Sequence, residues 1–212
     1  MKKIILSAAA ILMVTASLSA EPVKGAYIGL GFGASQFNDD GYGDDFTAYA
    51  TRVSPGNGVS VEDGSSGYKI YGGYQFNKIF AVEASYTDYG KSYSIEMTTG
   101  YSEVLEPTSL SISANLGYNF GNEGEYRPFA TIGFANVNFN ESGTGTVYQD
   151  TSATAVRFGL GFEYTPSSLN GFGFRVAYEG DSFETTNTYG AEFKSSYNQT
   201  LALFYLGAQY KF

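Results

Sequence analysis

From Thr200 to Phe212 the chain reads TLALFYLGAQYKF, and its side chains fall into two rows of different chemistry. Every second position counted back from the end, Phe212, Tyr210, Ala208, Leu206, Phe204 and Ala202, is apolar. The positions between them, Lys211, Gln209, Gly207, Tyr205 and Leu203, are more polar and end in a charge. A repeat of two belongs to a β-strand whose faces meet different surroundings. Seven other segments carry the same repeat: Ala26 to Phe37, Tyr68 to Phe76, Phe80 to Tyr89, Leu110 to Phe120, Tyr126 to about Phe139, Val156 to Tyr164 and Phe172 to Tyr178. The fifth of the eight strands in chain order is the weakest. Pro128, Ala130, Ile132 and Phe134 make one row, but the pattern slips near Asn136, which predicts a bulge or an early strand end.

The chemistry of the rows decides which one faces inward. One row holds bulky Phe, Leu, Ile and Tyr; the other holds Gly and Ser with most of the strand charges. A barrel of eight strands has room inside for small residues and a few long ones, not for eight rows of Phe and Leu. The apolar row must therefore face out, which only lipid tolerates. A soluble eight-stranded barrel would reverse the rows.

The connections point the same way. Asn77–Ile79, Gly121–Glu125 and Thr165–Asn170 are short and rich in turn residues. Asn38–Gly67, Gly90–Thr108, Asn140–Thr154 and Gly180–Ser196 are long and polar. Strict alternation of short and long predicts tight turns on the periplasmic rim, where both termini lie, and extended loops outside. The expected fold is all-β: an eight-stranded antiparallel up-and-down transmembrane β-barrel.

At the other end, Lys2 and Lys3 precede an apolar stretch from Ile4 to about Leu18 and small residues at Ser19 and Ala20. This predicts a secretory signal peptide over residues 1–20, cleaved after Ala20, with the barrel domain over 21–212. The stretch is short of the roughly 20 residues that a spanning helix needs. Without Lys2 and Lys3 the 12 basic residues fall to 10, against 21 acidic ones, which argues against nucleic acid as a partner. With no Cys in the chain, lipoprotein anchoring and disulfides are excluded. Abundant Tyr and Phe suit membrane–water boundaries. Phe76, Phe80, Tyr118, Phe120, Tyr164, Phe172, Tyr210 and Phe212 are expected at the periplasmic rim, and Tyr68, Tyr86 and Tyr178 nearer the outer one.

The opening strand GAYIGLGFGASQF, the hairpin GYKIYGGYQFNKIFAVEASYTDYG, the start YRPFATIGF and the ending LGAQYKF resemble the OmpA-like transmembrane barrels, which include opacity-type surface proteins. The resemblance spans nearly all of the chain after the signal segment. It implies an integral protein of the bacterial outer membrane, with lipid and lipopolysaccharide as surroundings. It also implies that Gly207, Tyr210 and Phe212 form the signal read by the barrel-assembly machinery. Unlike two-domain members, the chain stops at its eighth strand, so no wall-tethering domain is expected.

With this phasing Lys69, Glu83, Arg127, Arg157, Glu163, Arg175 and Glu179 point into the lumen. Mixed signs in a narrow interior imply paired charges. They form either a polar plug or an ion-pair gate, and an interior that side chains fill favours the plug. The acidic run NDDGYGDD, Asn38 to Asp45, offers oxygen ligands for calcium but not at EF-hand spacing, and reads as a solvated loop. With no His and no Cys, neither a His base nor a Cys nucleophile exists. Carboxylate-only chemistry is left, for instance at the Asp-rich loop, but outside the plug no pair of acids sits where strands would fix its geometry, so no enzyme is expected, and no cofactor. The leading expectation is a monomeric structural protein whose four outer loops meet host or environmental surfaces. A small pore for ions and solutes is the alternative.

Overall fold

The computed structural model describes residues 24–56, 58–98, 100–121, 125–144, 151–186 and 196–212. The signal peptide expected over residues 1–20 lies outside the described residues. Parts of two long connections, 145–150 and 187–195, also lie outside them.

In chain order the elements are β1 (Gly25–Asn38), α1 (Tyr42–Val53), β2 (Val59–Asp63), β3 (Ser65–Gln75), β4 (Phe80–Asp88), β5 (Tyr93–Met97) and β6 (Ser102–Leu105). There follow β7 (Thr108–Gly117), β8 (Tyr126–Asn138), β9 (Glu141–Gly143), β10 (Ser152–Tyr164), β11 (Phe172–Thr186) and β12 (Ser196–Lys211). Eight of these close into an antiparallel barrel in the order β1-β12-β11-β10-β8-β7-β4-β3. Closure runs from Tyr27 opposite Lys211 to Asn38 opposite Thr200, so the barrel has no free edge in the lipid. These are the eight segments expected from the period-two pattern.

Bulky residues cover the barrel wall as the phasing requires: Leu30, Phe32, Ile112, Ile132, Phe134, Leu160 and Leu206 are all exposed, Leu160 at 69%. The inner rim is tied by short turns. In the first, the Asn77 carboxamide oxygen accepts the backbone N–H groups of Ile79 and Phe80. Around that rim aromatic rings meet in series, Phe76 with Phe80, Phe120 with Tyr126, Tyr126 with Tyr164, and Phe172 with Tyr210. At the outer side Tyr68 meets Tyr86.

Two expectations are corrected. The slip near Asn136 is neither a bulge nor a strand end. β8 keeps unbroken register to β7 as far as Asn138 opposite Thr108, and to β10 as far as Asn138 opposite Ser152. Alternation of side chains continues too, but the chemistry of the rows swaps. Asn136 and Asn138 face out, while Ala135 and Val137 are buried inside. The second correction concerns the long connections, which are not simply polar loops. The barrel strands extend into them; β11 reaches Thr186 where a loop was expected from Gly180. Described residues of the first three also supply α1 and a second antiparallel sheet, β2-β5-β6-β9.

A strand needs about 9–11 residues to cross a bilayer, and β11 and β12 have 15 and 16. The surplus rises beyond the lipid and, with α1 and the second sheet, forms a dome. Its core is apolar: Phe37, Tyr42, Tyr93, Ile95, Leu105, Phe139, Phe183 and Leu201 are all buried. Tyr42 packs edge-on to Tyr197, and Phe46 stacks on Tyr101, which seats α1 over the mouth. No described helix is long and apolar enough to cross a membrane, and the crossing is made by strands.

Candidate functional site

Below the dome the lumen is filled by ionic and phenolic side chains. Lys69, Glu83, Arg127, Arg157, Glu163, Arg175 and Glu179 are all buried inside it, each at 6% exposure or less. The structure joins them into one continuous cluster. Lys69 Nζ lies 2.8 Å from Glu83 Oε1 and also bonds Glu179. Glu83 Oε2 is 2.8 Å from Arg175 Nη1, whose Nη2 is 2.6 Å from Glu163 Oε1. Arg127 reaches the other Glu163 oxygen at 3.4 Å. At the upper end Arg157 Nη1 approaches Glu179 at 3.9 Å.

Pattern reading missed one member. Asp181 accepts from Arg157 Nε at 2.8 Å and from Nη2 at 3.0 Å, a fork-to-fork pair. It falls in the long connection expected from Gly180, yet it continues the inward parity of Arg175 and Glu179, and that parity is the signal that finds it. With Asp181 counted, four cations face four carboxylates, and the cluster is neutral.

Tyrosines complete it. Tyr27, Tyr205 and Tyr89 donate hydroxyl bonds to Glu83, Glu179 and Asp181 at 3.0, 2.8 and 2.7 Å. The Arg175 guanidinium lies 3.9 Å from the Tyr71 ring centre, a cation–π contact. Glycine on β1 makes the room. A Cβ at Gly29 would stand 2.2 Å from the Tyr71 ring, and one at Gly31 2.3 Å from the Tyr205 ring. Opposite, Arg157 Nη1 donates to Ser85 and Ser111 at 2.6 and 2.8 Å. Charge and hydroxyl are therefore matched across strands distant in sequence, and the cluster staples β3, β4, β8, β10, β11 and β12 together.

Not every lumen group is satisfied. Both carboxamide atoms of Asn115 and the Thr131 hydroxyl, opposite one another on β7 and β8, are buried without a partner. Among the described residues no group of three or more acids, His or Cys is placed to hold a metal ion. Within the acidic run, Asp39 accepts the backbone N–H groups of Gly41 and Gly43 and the Tyr93 hydroxyl, and Asp45 accepts the Tyr197 hydroxyl. These carboxylates anchor α1 to the dome. At the chain's end Gly207 sits in the wall against the backbone of Leu30 and Gly31, while Tyr210 packs edge-on to Phe172 and Phe212.

A closed eight-stranded barrel with a bulky apolar exterior and a packed polar interior defines a small integral protein of the outer membrane. The chain belongs to the outer membrane protein β-barrel domain family, whose profile matches residues 5–212. Among solved structures it is similar to Ail, the attachment invasion locus protein of Yersinia pestis, at 17% identity and a TM-score of 0.52, covering 89% of this chain and 99% of that one. Neisserial surface protein A is similar at 17% identity and 0.54, over 89% and 97%. The outer membrane protein OprG of Pseudomonas aeruginosa follows at 15% and 0.52, over 89% and 96%. At these identities the likeness shows the fold. No curated protein matches the chain in sequence.

Proposed function

We propose that this outer-membrane barrel is a non-conducting, monomeric scaffold that presents a folded outer dome to surfaces or molecules outside the cell. The observation that carries this reading is the double seal: a neutral, hydrogen-bonded ionic cluster in the membrane section, with the apolar dome core above it. Ions crossing such an interior would have to break buried pairs and then traverse a hydrocarbon-like layer. Asn38, Asn136 and Asn198 are exposed on the dome's exterior, and rigid scaffolds free their outer segments to make contacts. With no His and no Cys in the chain, a His base and a Cys nucleophile are both ruled out. Gly207, Tyr210 and Phe212 we assign to recognition by the assembly machinery, with lipid and lipopolysaccharide around the wall.

One observation favours a pore as the second reading. The unpartnered Asn115 and Thr131 groups mark a strip of the lumen where water would be stabilised. Recording single-channel currents from the protein in planar bilayers separates the two. A silent barrel whose dome-deleted form loses binding to host matrix or cells supports display. Steady conductance that changes on Arg157→Glu substitution, with binding untouched by dome deletion, supports the pore.

A further inference from the structure

The second sheet ends on a strand with one open side. β2 is last in the order β2-β5-β6-β9, paired only to β5 among the described residues. Thr98 N–H bonds Gly58 C=O, and Gly64 N–H bonds Ser92 C=O, just beyond the two ends of β2. In an antiparallel pair alternate residues bond the same neighbour. Ser60 and Glu62 therefore bond β5, while Val59, Val61 and Asp63 turn their N–H and C=O groups away from it. Across the gap β1 is open too. Its pairing with β3 stops at Ser35 opposite Ser65, although its pairing with β12 continues to Asn38.

Between these two unpaired edges lies a cavity of about 230 Å³. Phe37, Tyr93 and Val61 supply its apolar lining, and Asp39, Asp44 and Asp63 its charge. It shares Phe37, Asp39 and Asp63 with a wider recess on the outer wall, of about 890 Å³. None of the three carboxylates pairs with a cation among the described residues. The Asp39 oxygens are already taken by two backbone N–H groups and the Tyr93 hydroxyl, which leaves a net negative field rather than a ligand set for a metal.

We propose that the free edge of β2, with the acidic cavity beside it, is a docking groove for an extended basic peptide. Charge complementarity selects this occupant. A second copy of β2 would bring Glu62 and Asp63 against their own kind, and like charges oppose edge pairing. A basic strand adding to β2 satisfies the open N–H and C=O groups and sends alternate side chains to the face of Val61 and Asp63. A Lys or Arg there lays its aliphatic stem on Phe37, Tyr93 and Val61 and brings its charge to the carboxylates. The proposal rests on the surface-display reading and names the chemistry of its partner.

The test uses the whole protein in lipid nanodiscs, titrated with a peptide of alternating Lys and Thr. A peptide of alternating Glu and Thr and an alternately N-methylated Lys–Thr peptide are the controls. The Lys–Thr peptide binds, protects the amides of Val59, Val61 and Asp63 from hydrogen exchange, and dissociates as salt is raised; the Glu–Thr peptide does not bind. Asp44→Asn and Asp63→Asn each weaken binding by about fivefold, the upper range of an exposed ion pair, and N-methylation abolishes amide protection. Equal binding by wild type and the Asp44→Asn/Asp63→Asn double variant overturns the proposal, as does binding with no new protection in β2. A conducting barrel that still binds the peptide in this way defeats the sealed-scaffold reading alone, so the two fail separately.

Discussion

The membrane section of the barrel and the dome above it obey the same strand geometry with opposite chemistry. In the membrane section Lys69, Glu83 and Arg175 are inside and Leu30, Ile132 and Leu206 outside. In the dome Phe37, Val137, Phe183 and Leu201 are inside, and Asn38, Asn136 and Asn198 face water. β8 shows both regimes within a few residues, Phe134 exposed to lipid and Val137 buried under the dome. The solvent changes from hydrocarbon to water along each strand, and the apolar row changes sides with it. The lower part resists charge on its outside and the upper part resists charge on its inside.

The largest effect is expected where a buried charge loses its partner. Arg175→Met leaves Glu83 with Lys69 alone and Glu163 with Arg127 alone at 3.4 Å, gives the cluster a net negative charge, and should destabilise the barrel by about 3–5 kcal/mol. Guanidinium unfolding in detergent micelles, followed by the gel shift of heat-modified barrel, measures it; a loss below 1 kcal/mol would mean the cluster is solvated. Next comes the dome. Phe139→Ala should cost about 3 kcal/mol, the low end for a large core deletion, but only locally. Hydrogen exchange should quicken in β5 and β6 while the barrel strands stay protected, and uniform quickening would merge the regions this comparison separates.

A smaller pair sits on one strand. Ile132→Arg places charge on the lipid face and should cost about 2–4 kcal/mol, whereas Asn136→Arg, above the hydrocarbon, should cost about 0–1 kcal/mol. Refolding into vesicles reads both. Equal costs would place the lipid boundary elsewhere.

The barrel was legible because one face of every strand meets hydrocarbon, which enforces an unbroken apolar row from Phe204 to Phe212 and along its neighbours. The seven lumen charges were legible by the same parity. The dome was not. Its strands are short, β6 and β9 having 4 and 3 residues, and their pairing spans connections that period-two reading treats as loops. Asn136 misled for the same reason: a change of solvent in mid-strand looks, in one dimension, like a change of phase. Asp181 was lost with it, since the strand carrying it was cut where its outward row turned from Tyr178 to Gly180 and Ser182. α1 does carry a helical repeat, Tyr42, Phe46, Ala50 and Val53, which a search for period two passes over, and its seat depends on a ring from a distant segment, Tyr101 on Phe46.

The most local effect tests the dome's tolerance of internal charge. Glu103, on β6, is fully buried; one carboxylate oxygen accepts from the Tyr101 hydroxyl at 3.2 Å and the other has no partner. Burial pushes its carboxyl up from the ordinary 4.5 to about 7, with the Tyr101 bond opposing and nearby Glu141 reinforcing. The sign follows from linkage. Below the unfolded value both states hold the proton and the burial carries no penalty. As pH rises toward about 7 the unfolded state has released its proton while the folded dome retains it, so stability falls through that window. Each pH unit within it is worth up to about 1.4 kcal/mol. Dome opening, read from hydrogen exchange in β5 and β6 after correction for intrinsic rates, should increase from about pH 5 to about pH 8 in wild type and stay flat in Glu103→Gln. Matching slopes in the two proteins would show that Glu103 is hydrated, and that the second sheet is not the closed apolar roof its burial describes.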